Sequence, residues 1–463
     1  MLTKLAVHNL GVIRQAPIDL SKSLTIVCGP NGSGKTYLSY IAYAMCNPML
    51  GPYALLSDDE VKSLLDQEPV SINFDKDAII AFRSMRLSSI KEQLSEIFGI
   101  SSAQANDLFP DFELIPEENE QTYLDRVIAK EFSQDFTLNG LHCRITKESG
   151  PSAVIQFLKV YGNRSILEKN LKLTLMPIIM QMIFGTGIFR PLMLPVERSS
   201  IFTFAREIAN SRSRLVQSIR RLTSSNTNLD ANLFSELINE QASLYPLALN
   251  QLFSLSSDMT RVEKMEGDFG ELADEIEHSL LHGNLSVSEQ GDVVFSPDGS
   301  GKKLPMVMGA SIVKTLSNLV FFLRHMLSRG DLLIIDEPEI NLHPQAQVAM
   351  ARIIAQMVNH GLRVMVSTHS DYMIREFNNL IMLGNKSEAM EALATRLGYS
   401  SDMPLAAQDV AVEAMKFEED GRIVGRMIPV DRNGVEIAAI DVVTNLLNEV
   451  SDEIYFTLTT ADD

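Results

Sequence analysis

Cysteine is scarce: three residues in 463, Cys28, Cys46 and Cys143, far apart in the chain. They form neither a disulfide framework nor a metal-ligand cluster, which makes a reducing cytoplasm the expected home. Cations are outnumbered, with 40 Lys and Arg against 59 Asp and Glu and a net charge of −19. So acidic a surface argues against broad coating of DNA or of an anionic membrane. No apolar block of a signal peptide opens the chain, which begins MLTKLAVHNLGVIRQ. Long hydrophobic runs are also missing. The greasiest stretch, Leu173 to Phe189, is interrupted by Pro177, Gln181, Gly185 and Gly187 and reads as a buried helix followed by a turn. Internal repeats and low-complexity tracts are absent. Apolar residues at 45% and charged residues at 21% are ordinary globular composition, with length for about three domains and a sizeable core.

Along the chain, Leu2–His8 and Val12–Leu20 alternate as strands, and Leu24–Cys28 reads as a buried parallel strand. A helix is expected from Lys35 to Met45. Acidic, helix-patterned sequence fills 51–133. Strand pattern returns at Phe136–Ile145, Ala153–Val160 and Arg190–Val196, with a turn near Glu148–Pro151. Helical pattern resumes from Ile201 to Leu281. Leu285–Phe295 reads as a hairpin turning at Gln290-Gly291. After a polar loop come a long apolar helix, a strand Asp331–Ile335, a helix Gln345–Asn359 and a strand Leu362–Ser367. The tail from Val412 reads as two strands about Asp420-Gly421 and a last helix near 435–450. The expected division is an ATPase core in three parts (1–50, 134–198 and 285–463) interrupted by helical insertions at 51–133 and 199–284, the second a possible coiled-coil or partner-binding arm.

Three motifs carry chemistry. Gly29-Pro-Asn31-Gly32-Ser33-Gly34-Lys35-Thr36 fits the phosphate-binding loop, between an apolar strand and a helix. Its glycines let backbone N–H groups turn inward around phosphates, and the helix that follows adds its positive dipole end. Lys35 supplies a mobile point charge, and the Thr36 hydroxyl can ligate Mg2+. Leu332-Leu-Ile-Ile-Asp336-Glu337 reads as a buried strand tipped with carboxylates: Asp336 to hold Mg2+, Glu337 as the general base for an attacking water. Leu362–Thr368 is a further apolar strand ending at His369, placed where parallel strands meet ligands and able to reach a γ-phosphate.

The order GPNGSGKT, DEPEINLHP, STHS resembles the ABC-type ATPases outside the transporters. It is most similar to the overcoming-lysogenization-defect-like (AAA15) group and its stand-alone relatives in bacterial anti-phage systems of the Septu and PARIS kinds. That resemblance implies an α/β P-loop fold, an ABC-type head with ATP and Mg2+ held between two copies of the chain. It makes Ser311, in Gly309-Ala-Ser311-Ile-Val-Lys314, the residue that touches the partner's γ-phosphate, although the segment departs from the transporter pattern LSGGQ. It places Asn341, Leu342 and His343 at the dimer interface. Full-length relatives carry a nuclease with an Asp-x-Asp pair. None follows His369 here, so the resemblance implies the ATPase half of a split system: at least a homodimer, ATP acting as a switch with slow turnover, controlling a separate nuclease or toxin effector, with a nucleic-acid or phage-protein trigger. The alternative is a DNA-repair or chromosome-maintenance ATPase gripping DNA, against which the net charge and the lack of a long heptad stretch both count. Arg206, Arg212, Arg214, Arg220 and Arg221 lie together on an expected helix; without interleaved aromatics they read first as a solvated face, with a nucleic-acid or acidic-partner contact as the alternative. Arg198 follows a strand end.

Overall fold

The computed structural model describes residues 2–48, 50, 57–138, 141–160, 178–179, 181–186, 188, 190–204, 245–385 and 387–435. Its framework is a nine-stranded mixed sheet. The middle is parallel: Pro191–Leu194, Leu332–Asp336, Arg363–Thr368, Leu24–Cys28 and Val410–Phe417 lie side by side in that order. Ile423–Ile428 then runs antiparallel to Val410–Phe417. It leads to the hairpin Lys4–Leu10/Ile13–Asp19 and to the edge strand Glu113–Pro116. The α/β expectation holds.

The central strands are continuous apolar runs because both faces of the sheet are covered. Successive side chains alternate between the faces. Leu332 and Ile334 join the core shared with the helix Lys35–Cys46 and residues 57–129, whereas Leu333 and Ile335 join the core beneath the helices Ser311–His325, Pro344–Asn359 and Asp371–Leu383. Each central strand therefore ends between two packed layers, and the residues just past its carboxyl end emerge at one edge of the sandwich.

Several boundaries differ from the sequence reading. The segment 51–133 is not wholly helical. Its residues Val70–Asn73 pair with Ser152–Val160 in a separate four-stranded sheet, and Glu113–Pro116 joins the main one. These strands are four residues each, too short to show a period among the surrounding helices. The run read as one strand, Phe136–Ile145, belongs to two antiparallel strands, Phe132–Leu138 and Leu141–Lys147. Asn139-Gly140 between them was the available signal, a pair suited to a two-residue hairpin turn. The strand expected to reach Val196 stops at Leu194, because Pro195 brings no N–H to the ladder, and a 3-10 turn Val196–Ser200 follows. Two helices, Asp371–Leu383 and Glu388–Arg396, were not anticipated. The last helix near 435–450, residues 205–244 of the second insertion and with them Arg206, Arg212, Arg214, Arg220 and Arg221 lie outside the described residues. Among the described residues no helix is long and apolar enough to cross a membrane.

Candidate active site

The phosphate loop joins Leu24–Cys28 to the helix Lys35–Cys46. Gly34 sits at the helix start with φ of 79°, and a Cβ there would lie 2.7 Å from the Ile13 side chain, so both conformation and space demand glycine. Lys35 is buried, and its ammonium donates to the Gly29 and Pro30 carbonyls at 2.9 Å each. A lysine has three donors, so one is left for a ligand. Burial holds its pKa below the ordinary lysine range, against the opposing pull of Glu337, Glu339 and Asp336. The Ser33 hydroxyl is buried and has no hydrogen-bond partner among the described residues. An oxygen-rich anion in the loop would satisfy it.

Asp336 ends its strand fully buried. Its Oδ2 accepts from the Thr36 hydroxyl at 2.8 Å, and its Oδ1 accepts a short bond from the Ser367 hydroxyl. Desolvation raises its pKa, and these two hydrogen bonds oppose the rise. Glu337 follows with φ of 48°, a conformation that costs a non-glycine residue about 1–2 kcal/mol. The surroundings hold it there. Its N–H donates to the Ser367 carbonyl at 3.0 Å, and its carbonyl accepts from Arg198 at 2.7 Å. Arg198 also donates to the Asp336 carbonyl at 2.6 Å and the Pro195 carbonyl at 3.0 Å. It is 1% exposed, and burial pushes its pKa down to about 10. A guanidinium thus clamps the backbone beneath the two acids.

His369 follows Arg363–Thr368. Its Nδ1 is 3.2 Å from Glu339 Oε1 and 3.7 Å from Glu337 Oε1. Glu339 Oε1 also accepts from the Thr368 hydroxyl and from the His369 N–H, each at 2.8 Å.

One pocket of about 690 Å3 is lined by Asn31, Gly32, Ser33, Gly34, Lys35, Thr36, Glu337 and His369 at one end, with Asp336 just beneath through Thr36. The volume suits a small-molecule ligand. Its other end is Gly11, Val12, Tyr37, Asp107, Leu108 and Phe109. Ser311 is not among the lining residues; it is exposed at the start of the helix Ser311–His325. Asn341, with φ of 60°, donates to Thr315 Oγ1, which in turn donates to the Ser311 carbonyl. His343 is exposed beside the buried Leu342. Sequence reasoning missed Ser367 and Glu339. It left Arg198 without a role, although its place one short turn beyond a buried strand was a usable hint.

A family model for an AAA ATPase domain (AAA_15) matches residues 1–374. Among solved structures, an Smc head bound to the C-winged helix domain of ScpA is 13% identical, over 92% of this chain and 98% of that one, with a TM-score of 0.34. An Smc head domain with an extended coiled coil, bound to the C-terminal domain of ScpA derived from Pyrococcus furiosus, is 13% identical over 97% and 99%, with a TM-score of 0.32. Overlays this loose carry no weight for fold or function. No curated protein matches. The family match spans the phosphate loop, the acid-tipped strand and His369, and the chain belongs to the AAA ATPase domain family.

Proposed function

We propose that this chain binds and hydrolyses ATP at the pocket between its phosphate loop and Glu337, and that two copies close on the nucleotide. The observation that carries the proposal is the Thr36–Asp336 hydrogen bond, which joins residues 300 positions apart and sets the loop against the acids. Mg2+ fits this site: the Thr36 hydroxyl and Asp336 carboxylate are hard oxygen donors. No group of three acids, histidines or cysteines among the described residues would hold a metal unaided, so phosphate oxygens and water would complete its shell. When bound there, the ion neutralises charge on the β- and γ-phosphate oxygens.

The protein groups divide the remaining work. Loop N–H groups and Lys35 bind the phosphates. Glu337 accepts the proton of the attacking water as the new oxygen–phosphorus bond forms. The bond from the γ-phosphorus to the bridging oxygen breaks, and that oxygen leaves with ADP. His369 faces the γ-phosphate from the third strand end. Pairing of two copies is supported by exposed Ser311 at a helix N-terminus outside its own pocket, flanked by Val307 and Met308, which are 62% and 68% exposed. Ser311 would then contact the partner's γ-phosphate.

The finer reading is an ATP-operated switch that governs a separate nuclease or toxin in anti-phage defence. It draws on the DEPEINLHP and STHS resemblance. The test is Glu337→Gln, measured by light scattering with Mg–ATP. Turnover should fall by about 10²–10⁴-fold, as for loss of a general base, while stable dimers accumulate. A variant that stays monomeric in ATP would overturn the pairing. Co-purification with the product of the neighbouring gene, with and without ATP, tests the effector.

A further inference from the structure

Three carboxylates stand at the phosphate end of the pocket, and the reading above uses two. Glu339 is the third. It is 6% exposed, and its Oε2 has no hydrogen-bond partner among the described residues. A carboxylate so placed is held only where its other contacts fix it. Those contacts all converge on one oxygen: Oε1 accepts from the Thr368 hydroxyl and the His369 N–H, and the His369 ring stands beside it, with Nδ1 at 3.2 Å. Two donors from two consecutive residues thus meet one oxygen of Glu339, and the ring of the second lies within reach of the same oxygen.

We infer that Glu339 is a positioning residue for His369. With the ring N–H turned toward it, its Oε1 accepts from Nδ1–H, which fixes the ring tautomer and leaves Nε2 as the nitrogen available to the ligand. It also decides which acid the imidazole serves. Nδ1 lies 3.2 Å from Glu339 but only 3.7 Å from Glu337. Without the negative charge of the nearer carboxylate, the ring N–H turns to the charged Glu337 and occupies the carboxylate that must accept the water's proton. Glu339 therefore keeps the histidine and the general base apart. The same junction is braced further out. The Ser370 N–H donates to Thr368 Oγ1 at 3.0 Å, and the Ser370 hydroxyl donates to Gln347 at 2.6 Å. Thr368, and with it Glu339, is consequently tied to the helix Pro344–Asn359.

This inference rests on the ATPase reading, and one double-mutant cycle separates the two. Phosphate release from Mg–ATP is followed for wild type, Glu339→Gln, His369→Ala and the double variant. Binding of a fluorescent ATP analogue and the thermal midpoint are measured alongside. Glu339→Gln preserves shape and should fold. It should lower kcat by about tenfold while changing the analogue's Kd by less than about twofold. In the His369→Ala background the same change should alter kcat by less than about twofold, because two residues that act as one unit are not additive. An equal loss in both backgrounds, an unchanged kcat, or a loss confined to Kd would overturn the positioning role. A wild-type chain that releases no phosphate would overturn the ATPase reading and this inference with it.

Discussion

At one end of the pocket, Asn31–Thr36, Glu337 and His369 come from three neighbouring parallel strands, each ending at the same edge of the sheet. At the other end, Gly11 and Val12 come from the turn of an antiparallel hairpin, Tyr37 from the phosphate-loop helix, and Asp107, Leu108 and Phe109 from the end of a short helix in the segment 57–129. The first end is polar, anchored on the buried Ser33, Lys35 and Asp336 and cross-braced by backbone. The second is apolar and open, with Val12 47% and Leu108 50% exposed, backed by edge-on contacts of Tyr37 with Phe98 and Phe109. The difference teaches where precision is needed. Charge at a reacting phosphate must be met by fixed groups, whereas the flat base of a nucleotide needs only an apolar slot.

That contrast can be broken in graded steps. Glu337→Gln stands first, with a loss in turnover and none in binding, and a matching loss of binding would erase the division of labour. Next is Arg86, on the helix Lys76–Glu92. Its guanidinium donates to the carbonyls of Ala44, Met45, Asn47 and Leu50, where the phosphate-loop helix ends. It fixes the far end of that helix with a positive charge at the negative pole of the helix dipole. Arg86→Met should destabilise the fold by about 3–4 kcal/mol in a urea titration, since several buried carbonyls lose a charged donor at once. A change under about 1 kcal/mol would show that the 57–129 segment is not anchored there.

Asp331 offers a control away from both ends. It is buried at the opposite end of the acid-tipped strand, and burial pushes its carboxyl up to about 6 despite Arg190 nearby. A raised acid pKa means that the folded state holds the proton more tightly. Stability from this group is then greatest below pH 4 and declines between pH 4 and 6, by about 2–3 kcal/mol in all. Asp331→Asn should flatten that segment of the stability–pH curve without altering ATP affinity. The smallest effect is expected at the open end. Leu108→Ala removes half-exposed apolar surface and should weaken ATP binding by about fivefold, roughly 1 kcal/mol, with kcat unchanged. A large fall in kcat from Leu108→Ala would place this end inside the reacting machinery.

The same contrast explains what could be read from sequence. Gly29–Thr36 is contiguous, and its chemistry needs those residue types in that order, so the loop was legible without a fold. Asp336, Glu337 and His369 each follow a run of apolar residues, and strand ends are visible as a change from apolar to polar. Glu339 was not legible as a site residue, and Arg198 only by its place after a strand end. Arg198 meets the Asp336 carbonyl across 138 positions, and Glu339 meets Thr368 across 29, so their roles exist only once strands are side by side. Asp107–Phe109 carry no motif, because an apolar wall can be built from many sequences. In the fold, long periodic helices and fully buried strands were found nearly to the residue, as with Leu24–Cys28 and Pro344–Asn359. Four-residue strands such as Val70–Asn73 were lost because their partner lies about eighty residues onward, beyond any local pattern.

The central claim is that the loop and the acids form one nucleotide site, and calorimetric titration of Mg–ATP into wild type and Lys35→Ala measures it most directly. Wild type should bind with one ATP per chain, and the variant about a hundredfold more weakly, the worth of one charged hydrogen-bonding group on a phosphate. Equal affinity in the two proteins, or no heat of binding in wild type, would contradict the account.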